Sequence, residues 1–169
     1  MLIRFSKIAL VSACSFFFLL VVFNNLTDYG SNFQFVEAVV SMSTTFDRNV
    51  AIWRAIDTPF IHHVFYWIII LWEFEAMLLL GVGAWRLWHN KSEPAAIFNK
   101  SKEAAILGFT SALLLWFGAF IIIGGEWFLM WQSKIYNGQN AAFRMFTIMG
   151  ILLLYLAIKD EEISDGSAL

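Results

Sequence analysis

Two carboxylates near the middle of a long apolar stretch, Glu73 and Glu75, are the residues of this chain whose type and setting could do chemistry. The stretch runs from Pro59 to Trp88, and as a helix it is about 40 Å long, enough to cross a hydrocarbon core of about 30 Å. A carboxyl at membrane depth is costly and is kept for a hydrogen-bonded structural role, a proton or ion path, or contact with a partner chain. Counted from Pro59, Glu73 lies about 20 Å along the helix, in the inner half of a bilayer. Ser12, Cys14, Ser15, Thr110 and Ser111 fall at that depth in other apolar stretches, with Tyr155 nearer the inner face, and these are the expected hydrogen-bond partners of a carboxyl in the bundle core. No Lys or Arg joins them. Both acids are read as buried membrane carboxylates, but they lie about 200° apart around a helix and cannot face one neighbour; one of them can meet another chain.

A second candidate group gathers at the outer interface: His62, His63, Glu126, Trp127, Trp131 and Arg144. Adjacent histidines point about 100° apart on a helix and rarely share a metal. His62 shares a face with Tyr66 and Glu73, yet Glu73 is about 16 Å further along, too far for one ion. Both histidines are expected as interface residues, with no metal and no cofactor. Glu126 and Arg144 enter at similar depth across a short loop and are expected to pair. Trp127 and Trp131, four apart, form one aromatic face, either a membrane-interface belt or a stacking site for a quinone or lipid headgroup. No nucleophile triad, phosphate-binding glycine loop or His-x-x-x-His pair occurs, so the chain is not expected to be an enzyme. The single cysteine, Cys14, excludes an intramolecular disulfide.

The elements that must position these residues stand out by composition. The 169 residues are 60% hydrophobic and only 14% charged, with a mean hydropathy of +0.69. A soluble domain is less apolar and more charged, and here the excess falls in blocks. The blocks predict an all-α membrane protein in one domain, 1–169, with four spans over roughly 8–23, 60–88, 104–123 and 141–158. Outer loops cover 24–59 and 124–140, an inner loop 89–103, and an acidic tail 159–169. Val11-Ser12-Ala13-Cys14 has the look of a lipoprotein cleavage box, but the apolar run before it is short and the run continues to Phe23, so span one is expected uncleaved. In the outer loop, Ser31 and Gln34 fit a capping box, Thr44 precedes Asp47 as a cap, and Phe33, Val36 and Val40 followed by Phe46, Val50 and Trp53 predict short amphipathic helices. Thr58 before Pro59 starts the second span. Gly124-Gly125 allows a bend or a close approach. Asn25-Leu26-Thr27 matches a glycosylation sequon, of little weight beside a span. Of the Lys and Arg residues, seven fall on the side of both ends of the chain and four on the other, which favours cytoplasmic termini. No basic patch suggests nucleic acid.

Asn24-Asn25-Leu26-Thr27-Asp28-Tyr29, Asn32-Phe33-Gln34-Phe35-Val36, Thr44-Thr45-Phe46, Trp53-Arg54-Ala55-Ile56, Gly124-Gly125-Glu126-Trp127-Phe128-Leu129-Met130-Trp131-Gln132-Ser133 and Asn137-Gly138-Gln139 resemble a bacterial family of predicted small integral membrane proteins, domain of unknown function 2165. The resemblance covers nearly the whole chain and implies a four-span protein of the bacterial inner membrane. It carries no catalytic or ligand residues with it.

These readings converge on a four-helix membrane bundle with a helical periplasmic loop. Its expected role is a non-enzymatic accessory subunit of a larger inner-membrane complex, surrounded by lipid. The competing roles are a small transporter or proton-coupled channel using Glu73 or Glu75, and a quinone- or lipid-binding protein with its site at Trp127, Trp131 and the 33–56 helices.

Overall fold

The computed structural model describes residues 1–163, and all its regular elements are helical. Helix α1 spans Leu2–Thr27, α2 Tyr29–Val40, α3 Pro59–His89, α4 Ala95–Lys100, α5 Glu103–Leu113 and α6 Gln139–Ala157. From Leu114 to Trp127 the α5 rod continues as a π-helix. Among the described residues, four rods are long and apolar enough to cross a membrane: Leu2–Thr27, Pro59–His89, Ala95–Trp127 and Gln139–Ala157. Helix α1 passes through Cys14 without a break, and Gly124-Gly125 lies inside the third rod rather than ending it.

Helix α1 lies antiparallel against α3, and their register can be read from side chains. The Phe5 ring meets Trp88 at 6.1 Å, the Ser15 hydroxyl donates to the Met77 carbonyl at 3.0 Å, and Asn25 meets Glu73 at 2.7 Å. Since α1 stops at Thr27, the first turns of α3 rise beyond it into a cap. Gly83 and Gly108 let α3 and α5 close together. A Cβ on Gly83 would stand 2.6 Å from the Ala105 backbone nitrogen, and one on Gly108 2.8 Å from Leu80 Cγ. In lipid, such small-residue contacts are how helices gain packing energy.

The cap is built by α2, the 41–58 segment and residues 128–137. Asp28 breaks the helix and α2 turns back along α3, burying Val36, Val39 and Val40. The capping box at Ser31 does not form: α2 begins at Tyr29, and the Ser31 hydroxyl instead donates to Asp28 Oδ2 at 2.8 Å. Met42 adopts φ 53°, and the Ser43 amide reaches the Ala38 carbonyl at 3.2 Å, which closes the end of α2 as a left-handed helix cap. No second amphipathic helix follows. Residues 41–58 are turns with one short 3₁₀ segment, Ile52–Arg54, and Phe46, Val50 and Trp53 are exposed. Thr44 does not cap locally; its hydroxyl donates to Ser133 Oγ at 2.8 Å and ties the two cap loops together.

Both ends of the described chain meet at the face opposite the cap. Arg4, Lys7 and Lys102 are all buried there. Lys7 and Lys102 each reach Asp160 Oδ2 at 2.6 Å, and both donate to the Ile158 carbonyl. The Arg4 guanidinium donates to the carbonyls of Lys91, Glu93 and Glu161 and lies over the Phe98 ring. Burial works against the Asp160 carboxylate, but hydrogen bonds from Lys102 and Lys7 outweigh it and hold the group below its ordinary range. The start of the acidic tail is therefore a strap across the bundle; the rest of the tail lies outside the described residues.

Candidate functional site

Two apolar clusters fill the bundle, and Glu73 lies between them. Toward the termini, Phe18, Ala76, Leu80, Leu87, Phe109 and Leu115 belong to one cluster; toward the cap, Val22, Val36, Val39, Tyr66, Ile70 and Met130 belong to the other. Glu73 is 3% exposed. Its partner is Asn25, whose amide donates to Oε2 at 2.7 Å. The Asn25 carbonyl oxygen is in turn satisfied by Asn32 Nδ2 at 2.6 Å and the Tyr66 hydroxyl at 3.3 Å. Donors thus run in one direction, from the exposed Asn32 through Asn25 to the buried acid.

This arrangement corrects the expected depth and partners of Glu73. Ser12, Cys14, Ser15, Thr110, Ser111 and Tyr155 do not hold it; Ser15 bonds the Met77 carbonyl and Tyr155 bonds Ser6. The acid lies level with the last turns of α1 and with Gly138 and Ala141 at the start of α6, which line the same cavity. It is nearer the cap end than the termini, because α3 starts outside the bundle.

Glu75 is not buried. It sits on the outer surface of the bundle, between the exposed Leu71, Phe74 and Leu78 of α3 and the exposed Leu107 and Thr110 of α5. A short hydrogen bond from the Ser111 hydroxyl reaches its carboxylate, and the Trp72 indole donates to Ser111 at 2.9 Å. An acid in this position faces the lipid layer unless another molecule covers it.

The outer cluster does not converge. His62 is buried against the cap, with Nε2 2.6 Å from the Ile56 carbonyl and Nδ1 3.8 Å from Glu37. His63 stacks on Phe33 at 4.1 Å and meets the Tyr29 hydroxyl at 2.8 Å. Among the described residues no ion pair joins Glu126 to Arg144. Arg54 lies there instead, donating to the Glu126 and Trp127 carbonyls and covering the Trp53 and Trp127 rings. Trp127 and Trp131 do not share a helical face. The π-helix ends at Trp127 and Leu129 turns left-handed (φ 54°), so Trp131 packs on Phe46 while Trp127 packs on Trp53. No group of three His, Cys, Asp or Glu side chains suited to a metal occurs among the described residues.

Two cavities flank Glu73's level. One, of about 250 Å³, is lined by Glu73, Asn25, Asn32, Tyr66, Trp116 and Gly138 among others. Its neighbour, of about 240 Å³, is walled by Phe65, Ile68, Trp72, Ile123, Phe128 and Met130 among others. Phe35, Val36, Ile69 and Phe120 line both. The π-helix supplies much of this wall: i→i+5 winding, seen in the Phe128 amide bonding the Ile123 carbonyl, sets Trp116, Phe120 and Gly124 on the cavity side. Asn25, Asn32 and Trp116 line the site without any chemical pattern in the sequence that marks them. The only signal at Asn25 was its place in a sequon and in the family-like stretch.

Comparison with curated proteins and with solved structures returns no match. A family model described as "predicted small integral membrane protein" matches residues 3–159, all four spans included. With nearly the whole length matched and four membrane-crossing rods in its fold, the chain belongs to that family of small integral membrane proteins, domain of unknown function 2165.

Proposed function

We propose that this protein is a non-enzymatic accessory subunit that docks a transmembrane helix of a larger inner-membrane complex against the α3–α5 face, with its termini in the cytoplasm. The observation that carries the reading is Glu75. A carboxyl exposed on an apolar surface at membrane depth costs several kcal/mol, and the Ser111 hydroxyl meets only Oε2, so a donor from another molecule would lower that cost further. Leu71, Phe74, Leu78 and Leu107 surround it with the apolar area that such a helix would cover. A second copy of this chain is the poorer occupant, because a symmetric contact at this spot sets acid against acid. The partner helix therefore carries a hydrogen-bond donor or a cation at mid-depth. Ion transport is the weaker reading: Phe18, Ala76, Leu80 and Leu87 are buried in one apolar cluster between Glu73 and the termini face.

A photo-crosslinking residue at Leu71 or Leu78, in membranes of the native cell, tests this. The expected product joins the chain to one distinct protein, is absent when the probe is at Leu154 on α6, and is lost in Glu75→Leu. Products of twice the chain's own mass alone, or equal labelling from Leu154, would overturn it.

A further inference from the structure

We infer that the paired cavities beside Glu73 form a binding site for a neutral, single-tailed amphiphile with a hydroxyl- or carbonyl-bearing ring as its head, the chemistry of an isoprenoid quinone or quinol. The polar end of the site is built: Glu73 is fixed by Asn25 through Oε2, and Oε1 accepts no hydrogen bond from the described residues. The Trp116 indole N–H is buried without a partner and belongs to the same cavity wall. An acceptor and a donor without partners, at one end of an apolar space, are what a ring carrying oxygen substituents would satisfy.

The rest of the space is apolar. Phe35 and Phe120 line both cavities and can stack on a planar head at Glu73, while Phe65, Trp72 and Phe128 wall the neighbouring cavity that takes the tail. Together the cavities fall within the range of small-molecule sites, about 300–1,000 Å³. The chemistry also rejects competitors. A fatty acid would bring a carboxylate against Glu73, a phospholipid would bring a phosphate and two chains, and a simple prenyl alcohol would leave the aromatic walls unused. Entry is lateral: the exposed Ile68 and Ile123 rim one cavity, and Val21 with the exposed Ala141 rims the other, between α1 and α6. A ligand dissolved in lipid needs no aqueous route. The site shares one wall residue with the Glu75 face, Trp72, whose indole donates to Ser111, while its polar end at Glu73 and Trp116 lies outside that chain of bonds.

The test uses the purified full chain in phosphatidylcholine nanodiscs, titrated with decylubiquinone and with decylubiquinol, with tryptophan fluorescence as the readout. Oleate and farnesol serve as competitors. Saturable binding of at least one redox form is expected, weakened more than tenfold by Glu73→Leu and several-fold by Trp116→Phe, and unchanged by Leu154→Ala, at an exposed α6 position that lines neither cavity. Trp116→Phe keeps the ring and removes only the N–H, so it decides the matter should Glu73→Leu fail to fold. Absence of saturable binding, wild-type affinity in Trp116→Phe, or displacement by oleate or farnesol as effective as by decylubiquinol would each overturn the inference.

Discussion

Glu73 and Glu75 differ by two positions and about 200° of helix, and that rotation separates their fates. Periodicity showed that they diverge but not which one turns inward, because α3 is apolar all round and offers no polar stripe to orient it. Glu73 gained a buried partner from α1, and Asn25 is the residue that makes its burial tolerable. Asn25→Ala leaves the carboxyl without its donor and is expected to cost about 1–3 kcal/mol, read as a shifted midpoint in detergent unfolding. Asn25→Asp, acid against acid, should cost more. Wild-type stability in both variants would remove the pairing from the account. At the termini face, Asp160→Asn leaves two buried ammonium groups facing an amide, with an expected loss of about 3–5 kcal/mol. The sign of its pH dependence follows from the depressed carboxyl. The stabilisation is complete above the ordinary Asp value of about 3.9 and is lost as pH falls through the lower folded-state value. A stability gap between wild type and Asp160→Asn that is full above that value and closes as pH falls is the expected result; a gap that does not change with pH would contradict it.

At the scale of elements, the four rods were legible because apolar blocks of this length have few other uses. Their relative height was not. Depth counted from Pro59 assumed that all spans begin at one level, whereas the first turns of α3 stand above the end of α1 inside the cap. Glu126 does not meet Arg144 for a related reason: Gly124-Gly125 does not end the span, the π-helix runs through it to Trp127, and Arg54 lies at that end instead. Close approach of α3 and α5 at Gly83 gives a sharper test of the packing. Gly83→Leu drives a side chain into the Ala105 backbone and is expected to cost about 3 kcal/mol, whereas Gly118→Ala, with no atom within 4 Å of the new Cβ, should be silent. Equal thermal midpoints for the two variants would mean that the helices do not meet as described.

Across the whole molecule, one apolar cluster fills the bundle toward the termini and two cavities open toward the cap, with a polar layer between. That contrast was invisible in composition, since the same residue types fill both halves; only the return of α2 and the wide π-helix open the space. One acid is enclosed by the chain itself, and the other is left on the outside. Covering Glu75 with a foreign helix is the central claim, and native mass spectrometry of the assembly extracted in mild detergent tests it most directly. The account predicts a particle heavier than the chain by one or more distinct proteins, reduced to the bare, folded chain by Glu75→Leu. A wild-type particle containing this chain alone, or an assembly of unchanged mass in Glu75→Leu, would contradict it.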